Sequence, residues 1–331
     1  MKSVFRTVLV MSLVMVLLAS ALPVYAANDV FTVNVGIQQA STHSYTLAWT
    51  HFKEDIEAKS NGRIKVELFP DSVLGNEAEV QEMIATGDVQ MASSTFLVQY
   101  DPIFAMLEMP YLFDSFDHVK RFNQSEAADE LKARLIEPKG LRVLAFFGNG
   151  FRHITNNKRP INHPEDVKGL NLRTPENPAQ IETFKILGAV ITPLPFPEVY
   201  SALQQGVVDG QENPVQQIYN SKFYEVQKYM AVTNHMFNPG NIIVNEAFYQ
   251  SMPEDLREMF TASVVEAAEW QISYVEASDN ELMTKIAESG TEITYPDMAE
   301  FKAATAPVLQ VFFDRYGSDA IELVDAINSV R

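Results

Sequence analysis

The chain has 331 residues, 47% of them hydrophobic, no cysteine and a formal charge of −18. The lack of cysteine rules out a disulfide framework and lipid attachment through an N-terminal cysteine. The acidic excess argues against nucleic acid as a partner.

In chain order, Lys2 and Arg6 precede an apolar run from Val8 to Leu22, and small residues follow up to Ala26. This pattern predicts a secretory leader over 1–26, removed on export to the periplasm. Residues 27–331 are enough for a sizeable core and lie near the length at which chains divide into two lobes. Phe31–Ile37 alternates as a strand does, and Trp49, Phe52 and Ile56 then fall at helical spacing until Asn61 and Gly62 stop the pattern. Ile64–Phe69 alternates again. Asn76 and Glu79 form a capping box for a helix whose inner face is Val80, Met83 and Ile84, ended by Gly87.

Leu141–Phe147 reads as a buried strand, followed by GNGFRH. His153 stands where a dinucleotide fingerprint needs its third glycine, so no nucleotide site is expected. A helix over Glu198–Gln205, a stop at Gly206 and a short strand from Val207 repeat the grammar seen around Gly87, which suggests two lobes of similar construction. Ser251 and Glu254 make a second capping box. The helix behind it, if unbroken to about residue 289, is roughly 55 Å long at about 1.5 Å per residue and could brace both lobes.

The six histidines show no metal-ligand spacing, and HExxH, GxSxG and a phosphate-cradling loop are missing. Neither a metal, a cofactor nor enzymatic activity is expected. The informative stretch is 166–214, DVKGLNLRTPENPAQIETFKILGAVITPLPFPEVYSALQQGVVDGQENP. Arg173 offers a rigid fork of donors matched to a carboxylate, and Asn213 can donate to the same group without adding charge. For a lone arginine an exposed ion pair is the alternative.

GLNLRTP and PFPEVYSALQQGVVDGQENP, with LRVLAFFGNGFRHITN and SVLGNEAEVQEMIATG before them, resemble the solute-binding proteins of tripartite ATP-independent periplasmic (TRAP) transporters. The likeness covers essentially all of residues 27–331. It implies an α/β, two-lobe periplasmic binding protein fold with mixed sheets, hinge strands and a long helix spanning both lobes. It also implies delivery of a small organic acid to a membrane permease. By this resemblance Arg173 is the carboxylate-binding arginine, Asn213 joins it, Arg152 is a second arginine beside the ligand, and Phe196 lays an aromatic ring against it. Glu77 falls where relatives reach ligand hydroxyls, and Gln38 and His43 lie on a loop facing the cleft; His43 could equally cap the helix that follows. Glu176, and Thr95 and Val98, depart from the sialic-acid subgroup, which disfavours that ligand.

The lobes are expected to comprise 27–150 with about 239–279, and 151–238 with about 280–331. Glu77 and Glu176, if both face the cleft, would accept from hydroxyls and repel a second carboxylate. The expected ligand is therefore a hydroxylated monoacid, either a hexuronate such as glucuronate or galacturonate or an aldonate, bound by a monomer. A C4-dicarboxylate is the alternative within the class. Outside it stand a periplasmic sensor partner and a sugar-acid enzyme.

Overall fold

The computed structural model describes residues 29–95 and 97–331. The leader expected over 1–26 lies outside the described residues. Strands β1 (Phe31–Gly36), β2 (Ile64–Phe69) and β3 (Met91–Ser94) run parallel, with Val33 beside Val66 and Val35 beside Met91. Helices Ser44–Lys59 and Glu77–Thr86 connect them, as parallel pairing requires a crossover. The second helix starts on the expected capping box, with the Asn76 side chain accepting from Ala78 and Glu79 and Glu79 reaching back to the Asn76 amide. Gly87 closes it in the left-handed region at φ 87°.

The remaining strands are β4 (Leu141–Asn156), β5 (Asn171–Thr174), β6 (Val190–Pro193), β7 (Gly210–Pro214), β8 (Tyr229–Ala231), β9 (Phe237–Asn245) and β10 (Glu292–Thr294). The main path is β2-β1-β3-β9-β4-β7-β5-β6, parallel and antiparallel pairs mixed. Strand β4 serves both halves of it. Up to Phe151 it pairs with β9, and from Arg152 to Asn156 it pairs with β7 and β8. The register shifts between Gly148 and Phe151, where Gly150 takes φ 106°, a conformation that favours glycine.

The helix Glu254–Glu288 is about 53 Å long at about 1.5 Å per residue. It lies on Ser44–Lys59, on β4 and on the short helix Val215–Asn220, so it contacts both halves of the sheet. Buried Gln271 fastens it to the crossing, accepting from the Gly148 amide and donating to the Gly148 carbonyl, both at 2.8 Å. Its start differs from expectation. Pro253 is the N-cap and makes no side-chain cap bond, while Ser251 donates instead to Phe248 O at 2.6 Å, closing the preceding helix Glu246–Ser251. The strand expected from Val207 begins only at Gly210, as β3 begins four residues after Gly87, so the glycine-stop grammar repeats in both halves.

After the long helix the chain packs against both halves. Strand β10 pairs with β8, and Phe301 joins a cluster with Leu170, Leu172 and Phe184. The chain then returns: Val308, Phe312, Leu323 and Ile327 pack with Leu107, Leu131, Leu141 and Phe146. Ser318–Ser329 is thus covered by the first half, while Pro307–Tyr316 packs on both the turn Pro102–Glu108 and the second-half helix Pro178–Ile186.

Candidate functional site

A cavity of about 250 Å³ opens between the two halves. Gln38, Glu77, Arg152, Arg173, Phe196 and Asn213 all line it, and exposed Glu176 stands at its rim. They come from six separate places in the chain. Gln38 follows β1, Glu77 opens the helix Glu77–Thr86, Arg152 marks the point where β4 changes partners, and Arg173 lies on β5. Phe196 begins a short turn and meets Phe223 edge-on at 5.9 Å, and Asn213 lies on β7.

Arg173 is 3% exposed, and its Nε and Nη2 donate to the Leu194 carbonyl at 2.9 and 2.6 Å. Among the described residues its Nη1 has no partner in the protein, so that end of the fork is left for the cavity. Burial lowers its pKa to about 9, with Arg152 adding to the effect and Glu212 and Glu77 opposing it. It stays cationic at neutral pH.

Arg152 is committed differently. Its Nε and Nη2 are both bound by the carboxylate of Glu212, the second contact at 2.8 Å, and both side chains are buried. Nη2 also reaches Asn213 Oδ1 at 3.2 Å, and Nη1 lies 3.3 Å from Asn238 Oδ1. Burial opposes ionisation of Glu212, but Arg152 and the hydrogen bond from His235 hold it below the ordinary carboxylate range. His235 is itself lowered by burial, and His153 beside it is lowered to about 3 by burial, His235 and Arg152. The second arginine is therefore cancelled by an acid that the sequence reading did not single out.

Asn213 donates to Gln211 and accepts from Arg152 Nη2 at 3.2 Å, which fixes its amide at the cavity wall. Glu77 is held by Thr95 and Ser94, whose hydroxyls donate to it at 2.7 and 2.6 Å. His43 does not line the cavity. Fully buried, it caps the helix Ser44–Lys59 by accepting from Tyr45 N at 3.1 Å, and burial lowers its pKa to about 3. His43 thus acts as the cap of the helix that follows it.

Sequence reasoning missed Glu108, Asn177, Gln180, Asn238 and Asn149, all of which line the cavity. Glu108 did leave a signal, a single acid inside the apolar run FAMLEMPYLF. The amides left none, since an asparagine outside a motif reads as a turn residue. Among the described residues no group of three or more His, Asp or Glu could hold a metal ion, and no helix is long and apolar enough to cross a membrane.

Comparison with known proteins agrees with this architecture. The model of the bacterial extracellular solute-binding protein family 7 matches residues 35–315. The chain is 32% identical over 299 residues to the 2,3-diketo-L-gulonate-binding periplasmic protein YiaO of Escherichia coli, covering 89% of this chain and 91% of that protein. It is also 32% identical over 283 residues to the C4-dicarboxylate-binding periplasmic protein DctP of Rhodobacter capsulatus, covering 83% and 84%. A TRAP periplasmic solute binding protein from Haemophilus influenzae with bound L-gulonate superposes with a TM-score of 0.86 at 29% identity, over 91% of this chain and all of that one. The chain belongs to extracellular solute-binding protein family 7 and is a TRAP-type solute-binding protein of the two-lobe α/β fold.

Proposed function

We propose that this protein binds a hydroxylated sugar acid with a single carboxylate, an aldonate or a hexuronate, and delivers it in the periplasm to a TRAP membrane permease. One observation carries the reading: of the two arginines in the cavity, Arg152 has its charge paired with the Glu212 carboxylate, whereas Arg173 meets only the Leu194 carbonyl and keeps its charge for a ligand. One free cationic fork matches one carboxylate. Around it stand the amides of Gln38, Asn149, Asn177, Gln180 and Asn213 and the carboxylate of Glu77, groups that exchange hydrogen bonds with hydroxyls. Phe196 supplies an apolar face for the ligand's carbon chain. The L-gulonate bound by the relative from Haemophilus influenzae is a molecule of this class.

The lobes proposed to close on the ligand are 27–150 with about 239–279, and 151–238 with about 280–331; the packing of Ser318–Ser329 favours adding that last helix to the first. Closure shifts toward the ligand-bound form because only the closed form contacts the ligand from both sides. The protein is expected to act as a monomer, to be cut after Ala26 on export, and to release its ligand chemically unchanged.

Calorimetric titration with L-gulonate, galactonate, galacturonate and glucuronate, set against succinate and malate, tests the ligand class. Binding of the diacids with none of the sugar acids would overturn it. That second reading has support in the equal identity to the C4-dicarboxylate-binding relative and in Arg152 Nη1, the one end of that guanidinium not turned to Glu212.

A further inference from the structure

Glu108 ends the 3-10 turn Pro102–Glu108 and is 2% exposed, yet it lines the cavity. Each of its oxygens accepts one amide hydrogen bond at 2.6 Å, Oε1 from Asn177 and Oε2 from Asn238. Among the described residues it has no ion-pair partner. The charged groups that act on it are Arg152, which Glu212 neutralises at contact distance, and the two carboxylates Glu212 and Glu77; the Tyr45 phenol is also within electrostatic reach. A carboxyl group taken out of water with no cation of its own keeps its proton.

A protonated carboxyl has one O–H to donate besides its acceptor sites. The two asparagines are fixed as donors here, because Asn177 Oδ1 caps the helix Pro178–Ile186 through Ala179 N and Asn238 Oδ1 accepts from Asn149 at 2.9 Å. Neither can take the proton. The O–H is therefore left to an acceptor in the cavity.

We propose that Glu108 is a further ligand-recognition residue, entering the cavity as a protonated acid, clamped by Asn177 and Asn238, whose O–H is donated to an oxygen of the bound ligand. Binding is thereby linked to the proton on Glu108. The inference rests on the sugar-acid reading for the ligand but not for the protonation state. Burial raises this group to about 8, with Arg152 and the Asn238 hydrogen bond opposing and Glu212 and Glu77 reinforcing the rise, so the donor is present at neutral pH and lost above it.

Two measurements test this. Infrared titration of the ligand-free protein should show a protonated-carboxyl band that fades as pH rises through about 8 and is missing in Glu108→Gln. Calorimetry with L-gulonate should show Kd weakening about tenfold between pH 7 and pH 9 in the wild type, since one proton is lost over that interval. Glu108→Gln retains a donor that does not titrate and should bind with no such slope. A flat wild-type profile, a slope that survives in Glu108→Gln and so belongs to Arg173, or the lack of the infrared band overturns the proposal. If Glu108→Gln fails to fold, a flat wild-type binding profile or the lack of the infrared band still overturns the proposal. If L-gulonate and the other sugar acids all fail to bind, the preceding reading falls while the infrared titration, compared between wild type and Glu108→Gln, still decides the state of Glu108.

Discussion

Replacing Arg173 by alanine is the most direct perturbation of the site. In the wild type Nε and Nη2 are spent on Leu194 O, so the ligand carboxylate is met by the Nη1 end, through one or two charge-assisted bonds. Each is worth about 1.5–3 kcal/mol net, so Arg173→Ala should weaken binding by at least about tenfold and, where both bonds form, by about a hundredfold or more. The same substitution frees the Leu194 carbonyl two residues before Phe196, so part of the loss comes from a loosened aromatic wall. Arg173→Lys separates the two contributions: an ammonium keeps the charge but cannot bridge Leu194 O and a carboxylate with one planar fork. Calorimetric titration with a bound sugar acid should rank wild type above Arg173→Lys and Arg173→Ala last. An alanine variant that melts normally and binds within a factor of two of wild type would refute the clamp.

Glu212→Ala strands Arg152 as a buried, unpaired charge and should cost about 3–5 kcal/mol of stability, read as a lower denaturant midpoint, with Glu212→Gln milder. Gly210→Ala should be severely destabilising, because the added Cβ would meet the Thr155 carbonyl oxygen at 2.1 Å on the paired strand, where neither backbone can yield; failure to lower the melting temperature would contradict the β4–β7 register. Asp279, on the long helix beside Gln216, is raised to about 7 by burial, with the Gln216 hydrogen bond opposing. Since its folded pKa lies above its unfolded value, it costs stability progressively as pH rises from about 4 to about 7. Asp279→Asn should therefore stabilise the protein by up to a few kcal/mol at neutral pH and leave it unchanged near pH 4, measured by urea unfolding at both values.

Local rules carried much of the fold. The Asn76–Glu79 box and the Gly87 stop involve atoms within a few residues of one another, so the sequence contains every partner they need. The long helix was legible for the same reason, through its 3.6-residue apolar period. Ser251 was misread because its hydroxyl could either donate to the Phe248 carbonyl behind it or accept from an amide ahead, and closing the helix behind won over capping the one ahead. The apolar faces of Pro307–Tyr316 and Ser318–Ser329 could be recognised as faces but not assigned a side, since apolar burial is non-directional and any exposed core edge would serve.

The site divides along the same line. Arg173 and Asn213 were legible because a specific stretch of sequence carries both, with β5 and β7 parallel neighbours that bring Arg173 beside Gln211. What decides the ligand is less local. Arg152 changes from a second anion site to a spent one through Glu212, its neighbour only across the β4–β7 ladder. Arginine count therefore does not determine how many carboxylates such a cavity accepts; the number of guanidinium ends left unpaired does. By that measure the cavity offers one strong anion site, at Arg173. Glu212→Gln, which keeps the shape but releases the charge of Arg152, is then the substitution expected to raise affinity for a diacid such as malate. Unaltered malate affinity in a folded Glu212→Gln protein would show that Arg152 does not face the ligand and that selectivity is set elsewhere in the cavity.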